Sequence, residues 1–279
     1  MKLSNILPAS LIGRGYDGDF IMALSNYIDK ETQNGYELAV LKANLPIVLD
    51  NGAFETGTAE GVDNLLIKVK KLNPAYVFAP DTLFDASQTK AGFEAFEHIK
   101  KNLKIKVRTA VVVQANNLDD YLKEFQRYNE DPRVSVIGLS YLAISYSMKY
   151  PNFRDVPMTK KATKKYPFNV FRDPDYTKDR IEMLKKINNL NLKKIKPVHL
   201  LGLGKSYEDI IFADKNCPYC LYNDTSTCYM ASLKKLELTN NLEVPGGKIR
   251  EKINIENPSD KEVEELLNIN IKKVKKCLK

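Results

Sequence analysis

Short apolar runs alternate with helical patterns along most of this chain, and the alternation limits the folds that it can adopt. The runs are short, rich in β-branched or aromatic residues and not strictly alternating, which is typical of strands buried on both faces. They cover residues 46–49, 75–79, 107–113, 134–139, 197–201 and 219–222. The helical patterns between them cover residues 61–72, 87–102, 118–128, 178–189 and 207–214. Repeated strand and helix units predict a parallel sheet in an α/β protein.

The number of strands decides between an open sheet and a closed barrel. Two further segments, around residues 3–7 and 37–41, supply the strands that complete a set of eight. A chain of 279 residues can bury one large core, and α/β barrels of about 200–250 residues commonly form a single domain. We therefore expect a TIM-type (β/α)8 barrel over residues 1–242, with a basic insertion at about 140–196.

The pattern changes after residue 242. Residues 243–279 form a charged extension that contains a helical pattern over 260–278. Ser259 or Asp260 is a suitable N-cap for this helix because the side-chain oxygen of either residue can accept a backbone N–H bond. We expect a helical C-terminal tail.

The sequence lacks the features of a membrane protein or of a disulfide-rich secreted protein. It contains no run of about 18 uncharged apolar residues, and its N-terminal apolar stretch is too short for a signal peptide. Its four cysteines are too few for a disulfide framework in a protein of this length. We expect a soluble cytoplasmic protein with reduced cysteines and no membrane partner.

Positive charge is concentrated around residues 149–196, where lysines and arginines are interleaved with tyrosines and phenylalanines. Cations bind phosphates and aromatic rings stack on unpaired bases, so this composition is typical of a surface that binds a polynucleotide. A solvated, lysine-rich surface is the alternative interpretation. The candidate nucleic-acid-binding residues are Lys160, Lys161, Lys164, Lys165 and Arg172.

An acidic, amide or glycine residue lies at the end of each of the six apolar runs, in one case together with a leucine. In chain order they are Asp50, Asp81, Gln114, Gly138 with Leu139, Gly202 with Gly204, and Asp224. The carboxyl ends of barrel strands converge on one mouth, where the chemistry of such barrels is found. Each residue taken alone can be explained as a turn or capping residue. Taken together, they predict an active site at the mouth.

The motifs at these positions resemble, in the same order, those of the tRNA-guanine transglycosylase superfamily. Within it, they are most similar to the phage DNA-modifying 7-deazaguanine transglycosylases. The motifs are LDNGAFE, FAPDTL, VVVQAN, VIGLSYLA, HLLGLGKSYEDI and YNDTSTC. They extend over residues 46–229, about two thirds of the chain.

The resemblance implies that Asp224 is the nucleophile and Asp50 the general acid/base. Exchange of a base on the same sugar with retained stereochemistry requires two displacements, which agrees with a pair of separated carboxylates. No metal or redox cofactor is needed for this chemistry. The residues that the resemblance assigns to base binding are Phe54, Asp81, Gln114, Gly138, Leu139, Leu201 and Gly202.

The expected function is exchange of guanine in DNA for a 7-deazaguanine derivative, such as 7-cyano-7-deazaguanine. The target base must be flipped out of the duplex. The tRNA enzymes carry a zinc site of three cysteines and a histidine near the C-terminus, and beyond residue 229 this chain has only Cys277 and no histidine. Two alternatives stay open, a tRNA-guanine transglycosylase without the zinc site and a non-catalytic nucleic-acid-binding subunit. The presence of both Asp50 and Asp224 favours catalysis.

Two further motifs have more than one interpretation. The segment GLGKS lacks the first glycine of a phosphate-binding loop, because His199 stands at that position. The segment CPYC contributes Cys217 and Cys220, which with Cys228 form a zinc site if His199 or Cys277 completes it. Three reduced thiols packed near a strand are the alternative.

Overall fold

The computed structural model describes residues 1–28, 35–149, 176–203, 206–245 and 260–278. These residues contain eight strands, β1 (Lys2–Asn5), β2 (Ile21–Leu24), β3 (Ile47–Asp50), β4 (Tyr76–Phe78), β5 (Arg108–Val112), β6 (Val134–Ser140), β7 (Val198–Leu201) and β8 (Cys220–Thr225). Their helices are α1 (Tyr36–Lys42), α2 (Ala53–Thr56), α3 (Val62–Leu72), α4 (Ala86–Asn102), α5 (Leu118–Glu130), α6 (Tyr141–Lys149), α7 (Tyr176–Asn188), α8 (Glu208–Asn216), α9 (Thr227–Leu233) and α10 (Lys261–Cys277).

All neighbouring strands pair in parallel, in the order β1-β8-β7-β6-β5-β4-β3-β2. The ends of this order meet where the Asp19 N–H donates to the Leu3 carbonyl at 2.7 Å. The Met22 N–H also donates to Ser4 Oγ at 3.1 Å. Gly18 lies at this seam with φ +102°, and a Cβ there would lie 2.3 Å from the Leu3 carbonyl oxygen. The chain is a nearly closed (β/α)8 barrel of the TIM type, which confirms the predicted fold class.

One predicted strand is wrong and one strand was not predicted. Residues 37–41 lie within helix α1, where Tyr36 and Val40 are buried and Leu38 is exposed. That spacing of four residues is the spacing of a helix face. The missing strand is β2, a short apolar run that directly follows a glycine-rich segment. The six strands predicted from continuous apolar runs all occur, with ends shifted by at most a few residues.

The segment predicted as an insertion contains barrel helices at both ends. Helix α6 begins directly after β6, so the start of the insertion that was predicted at about residue 140 is wrong. Helix α7 occupies residues near its other end and packs against α6. Residues 150–175, with the five candidate nucleic-acid-binding residues, lie outside the described residues, as does Gly204.

Helix α10 confirms the predicted C-terminal helix and packs onto the barrel. Asp260 is its N-cap, because Asp260 Oδ1 accepts the Val263 N–H bond at 2.9 Å. Val263, Leu267 and Val274 are buried in the layer between the strands and the helices. Within the described ranges, no helix combines the length and the apolar character that crossing a membrane requires.

A buried ion pair ties the outer helices to the end of β7. Arg180 on α7 donates from Nε to Asp209 Oδ2 on α8 at 2.6 Å, and neither side chain is exposed. The two Nη atoms of Arg180 donate to the carbonyls of Leu201 and Gly202, at 3.1 and 2.9 Å. Every nitrogen of the guanidinium is therefore used, and one charge fixes two helices and the loop that follows β7.

The first prediction concerns this ion pair. Asp209→Asn removes the counter-charge and leaves the Arg180 guanidinium buried, which we expect to lower the free energy of unfolding by about 3–5 kcal/mol. Urea denaturation followed by circular dichroism measures the change. The control is Glu182→Gln, because Glu182 pairs with Lys185 at 3.8 Å on the surface of α7, the helix that carries Arg180. The control should lower the free energy of unfolding by about 0–1 kcal/mol. Equal losses in the two variants would contradict the prediction.

Candidate active site

The predicted acids form part of the layer of side chains at the mouth of the barrel. Val48 and Tyr222 belong to the cluster that fills the barrel interior. Because strand side chains alternate between faces, Asp50 and Asp224, two residues further along β3 and β8, point to the same interior at its carboxyl end. Asp224 is 4% exposed, and Asp50 is half-buried. The sequence therefore places a carboxylate on each of two strands at this mouth.

A chain of hydrogen bonds crosses the barrel interior to Asp224. The hydroxyl of Tyr76 on β4 lies 2.7 Å from His199 Nδ1 on β7, and His199 Nε2 lies 2.8 Å from Asp224 Oδ1. His199 is completely buried, and the rings of Phe20 and Phe78 pack against it with centroids 5.6 and 5.5 Å away. The imidazole is thus fixed by two polar partners within an apolar shell.

The protonation states of this chain follow from its surroundings. Burial, and then the neighbouring Tyr222 and Asp224, raise the pKa of Tyr76 above its ordinary value, so the phenol keeps its proton. With the Tyr76 hydroxyl as donor to Nδ1, His199 is in the Nε2–H tautomer and donates to Asp224 Oδ1. The second oxygen of Asp224, Oδ2, takes no part in this chain of hydrogen bonds.

A one-residue bulge at the start of β8 sets which residues face the interior. Val198 pairs with Cys220, but the next residue, His199, pairs with Tyr222, so Leu221 is the extra residue. Cys220 packs in the outer layer, whereas Tyr222 packs in the interior cluster. The bulge therefore turns the remainder of the strand so that Tyr222 and the nucleophile candidate two residues later face inward.

Asp50 has an environment that favours its protonated form. Burial, and then the negative charge of Glu55, raise the pKa of Asp50 well above its ordinary value, and the charges of Asp224 and Asp81 act in the same direction. The N–H of Gly52 opposes the shift by donating to Asp50 Oδ2 at 2.9 Å. Gly52 has φ +75°, a left-handed conformation that glycine adopts without strain. Asp50 therefore retains a proton at a pH at which an ordinary aspartate has lost it.

Asp81 and Gln114 are bonded to each other in a buried network. Gln114 Nε2 donates to Asp81 Oδ2 at 2.6 Å, and Asn51 Nδ2 donates to Asp81 Oδ1 at 2.7 Å. Gln114 Oε1 accepts the Phe84 N–H bond at 2.9 Å. Burial raises the pKa of Asp81, and the bonds from Asn51 and Gln114 lower it in part. The two predicted base-reading side chains are rigidly held together beneath the mouth.

Gly138 and Leu139 lie within β6 on opposite faces of the sheet. The Gly138 carbonyl accepts the Val113 N–H bond at 3.0 Å, as part of the sheet ladder. A Cβ on Gly138 would lie 2.8 Å from a ring carbon of Phe78 and 3.0 Å from Leu201. Leu139 is fully buried in the outer layer. Gly138 thus allows the interior side chains to approach one another closely.

The loop after β7 lies against an aromatic side chain that sequence reasoning missed. Gly202 has φ +64°, and a Cβ there would lie 2.7 Å from the ring of Tyr141. The ring of Tyr141 meets that of Tyr176 edge to face, with centroids 5.0 Å apart. Burial raises the pKa of Tyr141, and the charge of Asp224 adds to the effect. Tyr141 is therefore close enough to the candidate nucleophile to be affected by its charge. The predicted base-stacking residue Phe54 lies on α2, and 38% of its surface is exposed.

The cysteines near β8 do not converge on His199. Its two ring nitrogens bond Tyr76 and Asp224, and the Cys228 thiol lies 3.2 Å from the hydroxyl of Tyr207 instead. In the part of the chain that the structure describes, no group of three or more His, Cys, Asp or Glu side chains is arranged to hold a metal ion. The alternative of a zinc site completed by His199 therefore lacks the necessary geometry.

The residues missed by sequence reasoning are those whose role depends on contacts across the barrel. The sequence pattern indicates only a strand residue at Tyr76 and a candidate zinc ligand at His199. The alternation of strand side chains could have placed both residues in the interior. Tyr76 lies two positions before Phe78, and His199 lies two positions before Leu201, and both of these later residues belong to the interior cluster. Asn51, which holds Asp81, stands directly beside a predicted catalytic residue.

The fold and the site together define a TIM-type barrel with two acidic residues at the carboxyl end of its strands. No protein-family model matches the sequence, and a search of curated proteins finds no significant match. A more particular assignment therefore depends on the geometry of the mouth and on the motif resemblance.

The second prediction uses the raised pKa of Asp50. Between the pKa of an unfolded aspartate, about 3.9, and the raised folded value, the unfolded chain releases a proton that the folded chain keeps, so stability falls as pH rises. Asp50→Asn removes this loss and keeps an oxygen for the Gly52 N–H. We expect the variant to gain stability relative to the parent as the pH rises from about 4 to 8, measured by urea denaturation at several pH values.

Asp120→Asn is the control for this prediction. The hydrogen bond from Asn117 lowers the pKa of Asp120, so its contribution to stability is present above the unfolded pKa and lost on acidification. Its variant should therefore lose stability relative to the parent as the pH rises, by a small amount because the side chain is exposed. A pH-independent difference between Asp50→Asn and the parent would show that Asp50 has an ordinary pKa.

Proposed function

We propose that this protein is a DNA-guanine transglycosylase that exchanges guanine for a 7-deazaguanine derivative, such as 7-cyano-7-deazaguanine. The observation that carries the proposal is the presence of two acids in different environments at one barrel mouth. Asp224 is bonded to the buried ring of His199, and Asp50 is held in its protonated form by burial and by neighbouring charge. Two acids whose environments differ in this way suit a nucleophile and its acid/base partner.

The first displacement uses Asp224. Its carboxylate attacks the anomeric carbon, the bond from sugar to guanine breaks, and a glycosyl ester forms. In its Nε2–H tautomer, His199 orients the carboxylate through one hydrogen bond to Oδ1. We assign the attack to the other oxygen, Oδ2.

Asp50 provides the proton transfers. In the first step, its proton passes to a ring nitrogen of the departing guanine. The resulting carboxylate then takes the proton from the ring nitrogen of the incoming 7-deazaguanine as that base attacks the ester. The cycle ends with Asp50 protonated and Asp224 free, so no other proton source is required. Because Asp50 must first donate and then accept a proton, a raised pKa suits it for this role near neutral pH.

The network below the mouth supports recognition of a guanine-like edge. Such an edge presents N–H donors and a carbonyl acceptor, and a carboxylate bonded once through each oxygen keeps further lone pairs for donors. Asp81 is bonded in this way by Asn51 and Gln114. Because the network is buried and already hydrogen-bonded, its geometry is fixed before the base arrives.

The third prediction separates the roles of the two acids. Asp224→Asn should abolish both exchange and formation of a covalent protein–DNA adduct, because an amide does not form the ester. Asp50→Asn should slow exchange by about 10²- to 10⁴-fold, the usual range for an acid/base group, while an adduct remains detectable. Exchange is measured by nucleoside mass spectrometry, and the adduct by a denaturing gel with labelled DNA.

The matched control is Asp63→Asn, which changes an exposed aspartate on α3. It should exchange bases at the parental rate. Near-normal exchange by Asp224→Asn would remove this residue from the mechanism. Equal adduct yields from the Asp224 and Asp50 variants would contradict the division of roles between them.

The fourth prediction tests DNA against tRNA as the substrate. Guanine release from labelled duplex DNA should be faster than release from unmodified tRNA under the same conditions. Neutralising Lys160, Lys161, Lys164 and Lys165 together should weaken DNA binding for all sequences alike. The salt dependence of binding should also fall, by at most about 0.9 for each phosphate that the protein no longer neutralises. Exchange at saturating DNA should change much less.

Two outcomes distinguish the alternatives. Faster release from tRNA, with unaltered DNA binding by the quadruple lysine variant, would favour a tRNA-guanine transglycosylase. Binding of DNA without release of guanine from either nucleic acid would favour a non-catalytic binding subunit.

A further inference from the structure

Two cysteines are brought together at the end of the barrel opposite the mouth. Cys217 follows helix α8, and Cys220 begins β8. The Cys220 N–H donates to the Cys217 carbonyl at 2.8 Å, which closes a four-residue turn. A turn of this kind holds its first and last Cα atoms within about 7 Å, and disulfides need a Cα separation of about 4.4–6.8 Å. The backbone is therefore compatible with a bond between the two sulfurs.

The surroundings of the pair stabilise a thiolate at Cys217. The thiol of Cys220 donates a hydrogen bond that lowers the pKa of Cys217, against the opposing effect of burial, and Tyr219 and Asn188 lower it further. Asn188 Nδ2 lies 3.6 Å from Cys217 Sγ, and the Tyr219 hydroxyl donates to Asn188 Oδ1 at 2.7 Å, which holds the amide in place. The neighbours of Cys217 therefore favour its thiolate.

The second sulfur remains a protonated thiol. Burial raises the pKa of Cys220 well above the ordinary value for cysteine. Both side chains are nearly buried, but Asn188 and Pro218 beside them are exposed. The pair therefore lies directly beneath exposed residues at this end of the barrel.

The other cysteine near β8, Cys228, differs from Cys217 in the direction in which the pKa of its thiol is shifted. Cys228 is equally buried, but burial raises its pKa to about 11, and its partner is the Tyr207 hydroxyl. It lies beyond the opposite end of β8, on α9. Cys228 therefore serves as an internal reference for a buried thiol in which burial outweighs the opposing effect of its hydrogen bond to Tyr207.

We propose that Cys217 and Cys220 are a redox-active dithiol that reacts with hydroperoxides and closes to a disulfide. The Cys217 thiolate attacks one oxygen of the peroxide, the O–O bond breaks, and a sulfenic acid forms with release of hydroxide or alkoxide. The Cys220 sulfur then attacks the Cys217 sulfur, the S–O bond breaks, and water leaves with the Cys220 proton. With hydrogen peroxide, two thiols are oxidised to one disulfide, and the peroxide is reduced to two molecules of water.

The site is independent of the proposed base exchange. Cys220 and Asp224 lie at opposite ends of β8, and the amide that bonds to the Cys217 sulfur belongs to Asn188 at the end of α7. The chemistry requires only a peroxide and two neighbouring sulfurs with different proton affinities. A failure of guanine exchange would therefore leave this inference unaffected.

The fifth prediction is tested on the whole chain with Cys277→Ser, which removes the exposed cysteine. After treatment with stoichiometric hydrogen peroxide, free thiols are blocked with iodoacetamide, and the chain is cut before Asp224 so that Cys228 falls in a separate peptide. We expect the peptide with Cys217 and Cys220 to lose two hydrogens and to resist alkylation at both positions until dithiothreitol is added. Its oxidation should be at least about tenfold faster than that of Cys228.

Two variants test the order of the steps. Cys220→Ser should stop at a sulfenic acid on Cys217 that dimedone traps, whereas Cys217→Ser should give no trapped product at Cys220. Because the disulfide is measured on the chain that keeps both cysteines, this result stands even where a variant folds poorly. Oxidation of the pair no faster than that of Cys228, or disulfides that join either cysteine to a different chain, would overturn the proposal.

Discussion

The chain of hydrogen bonds from Tyr76 through His199 to Asp224 is the constraint on which the rest of the barrel depends. It joins β4, β7 and β8 through an interior that is otherwise filled by apolar side chains. A buried imidazole without partners costs free energy, so the three strands must keep the register that satisfies both ring nitrogens. The same contacts that specify strand position also orient the carboxylate at the mouth. Stability and site geometry thus depend on the same atoms.

At the carboxyl ends of the strands, Asp224 and Asp50 have different electrostatic surroundings. Near β8, Asp224 is bonded to the buried ring of His199, while near β3 burial and the adjacent Glu55 favour protonation of Asp50. On the outer side, Arg180 fixes the carbonyls of Leu201 and Gly202 from behind. At the mouth, His199 thus fixes Asp224 from the interior, and Arg180 fixes the backbone after β7 from the outer layer.

Sequence patterns predicted the parts of this architecture that are local. Buried parallel strands such as β5 and β6 are short and largely apolar. A residue such as Asp50 at the end of such a run can be identified without knowledge of its neighbours in space. The function of His199 was not predictable in that way, because it depends on Tyr76, which is 123 positions earlier. The segment 37–41 was misassigned because a short apolar stretch fits a strand or a helix, and only the burial of Tyr36 with Val40 decides between them. The bonds that join Asp81 to Gln114 likewise arise from the closure of the barrel.

The bulge at Leu221 makes the pairing of one residue decisive for what faces the mouth of the barrel. If Leu221 occupied a regular strand position, the alternation from Cys220 would carry Asn223 toward the interior and Asp224 toward the helices. Asn223 instead donates to the carbonyl of Leu200. Loss of the bulge without loss of a residue would therefore exchange an acid for an amide at the end of the hydrogen-bond chain. Removal of Leu221 itself would leave Cys220 facing outward and Asp224 facing inward, because the bulge already takes this residue out of the alternation.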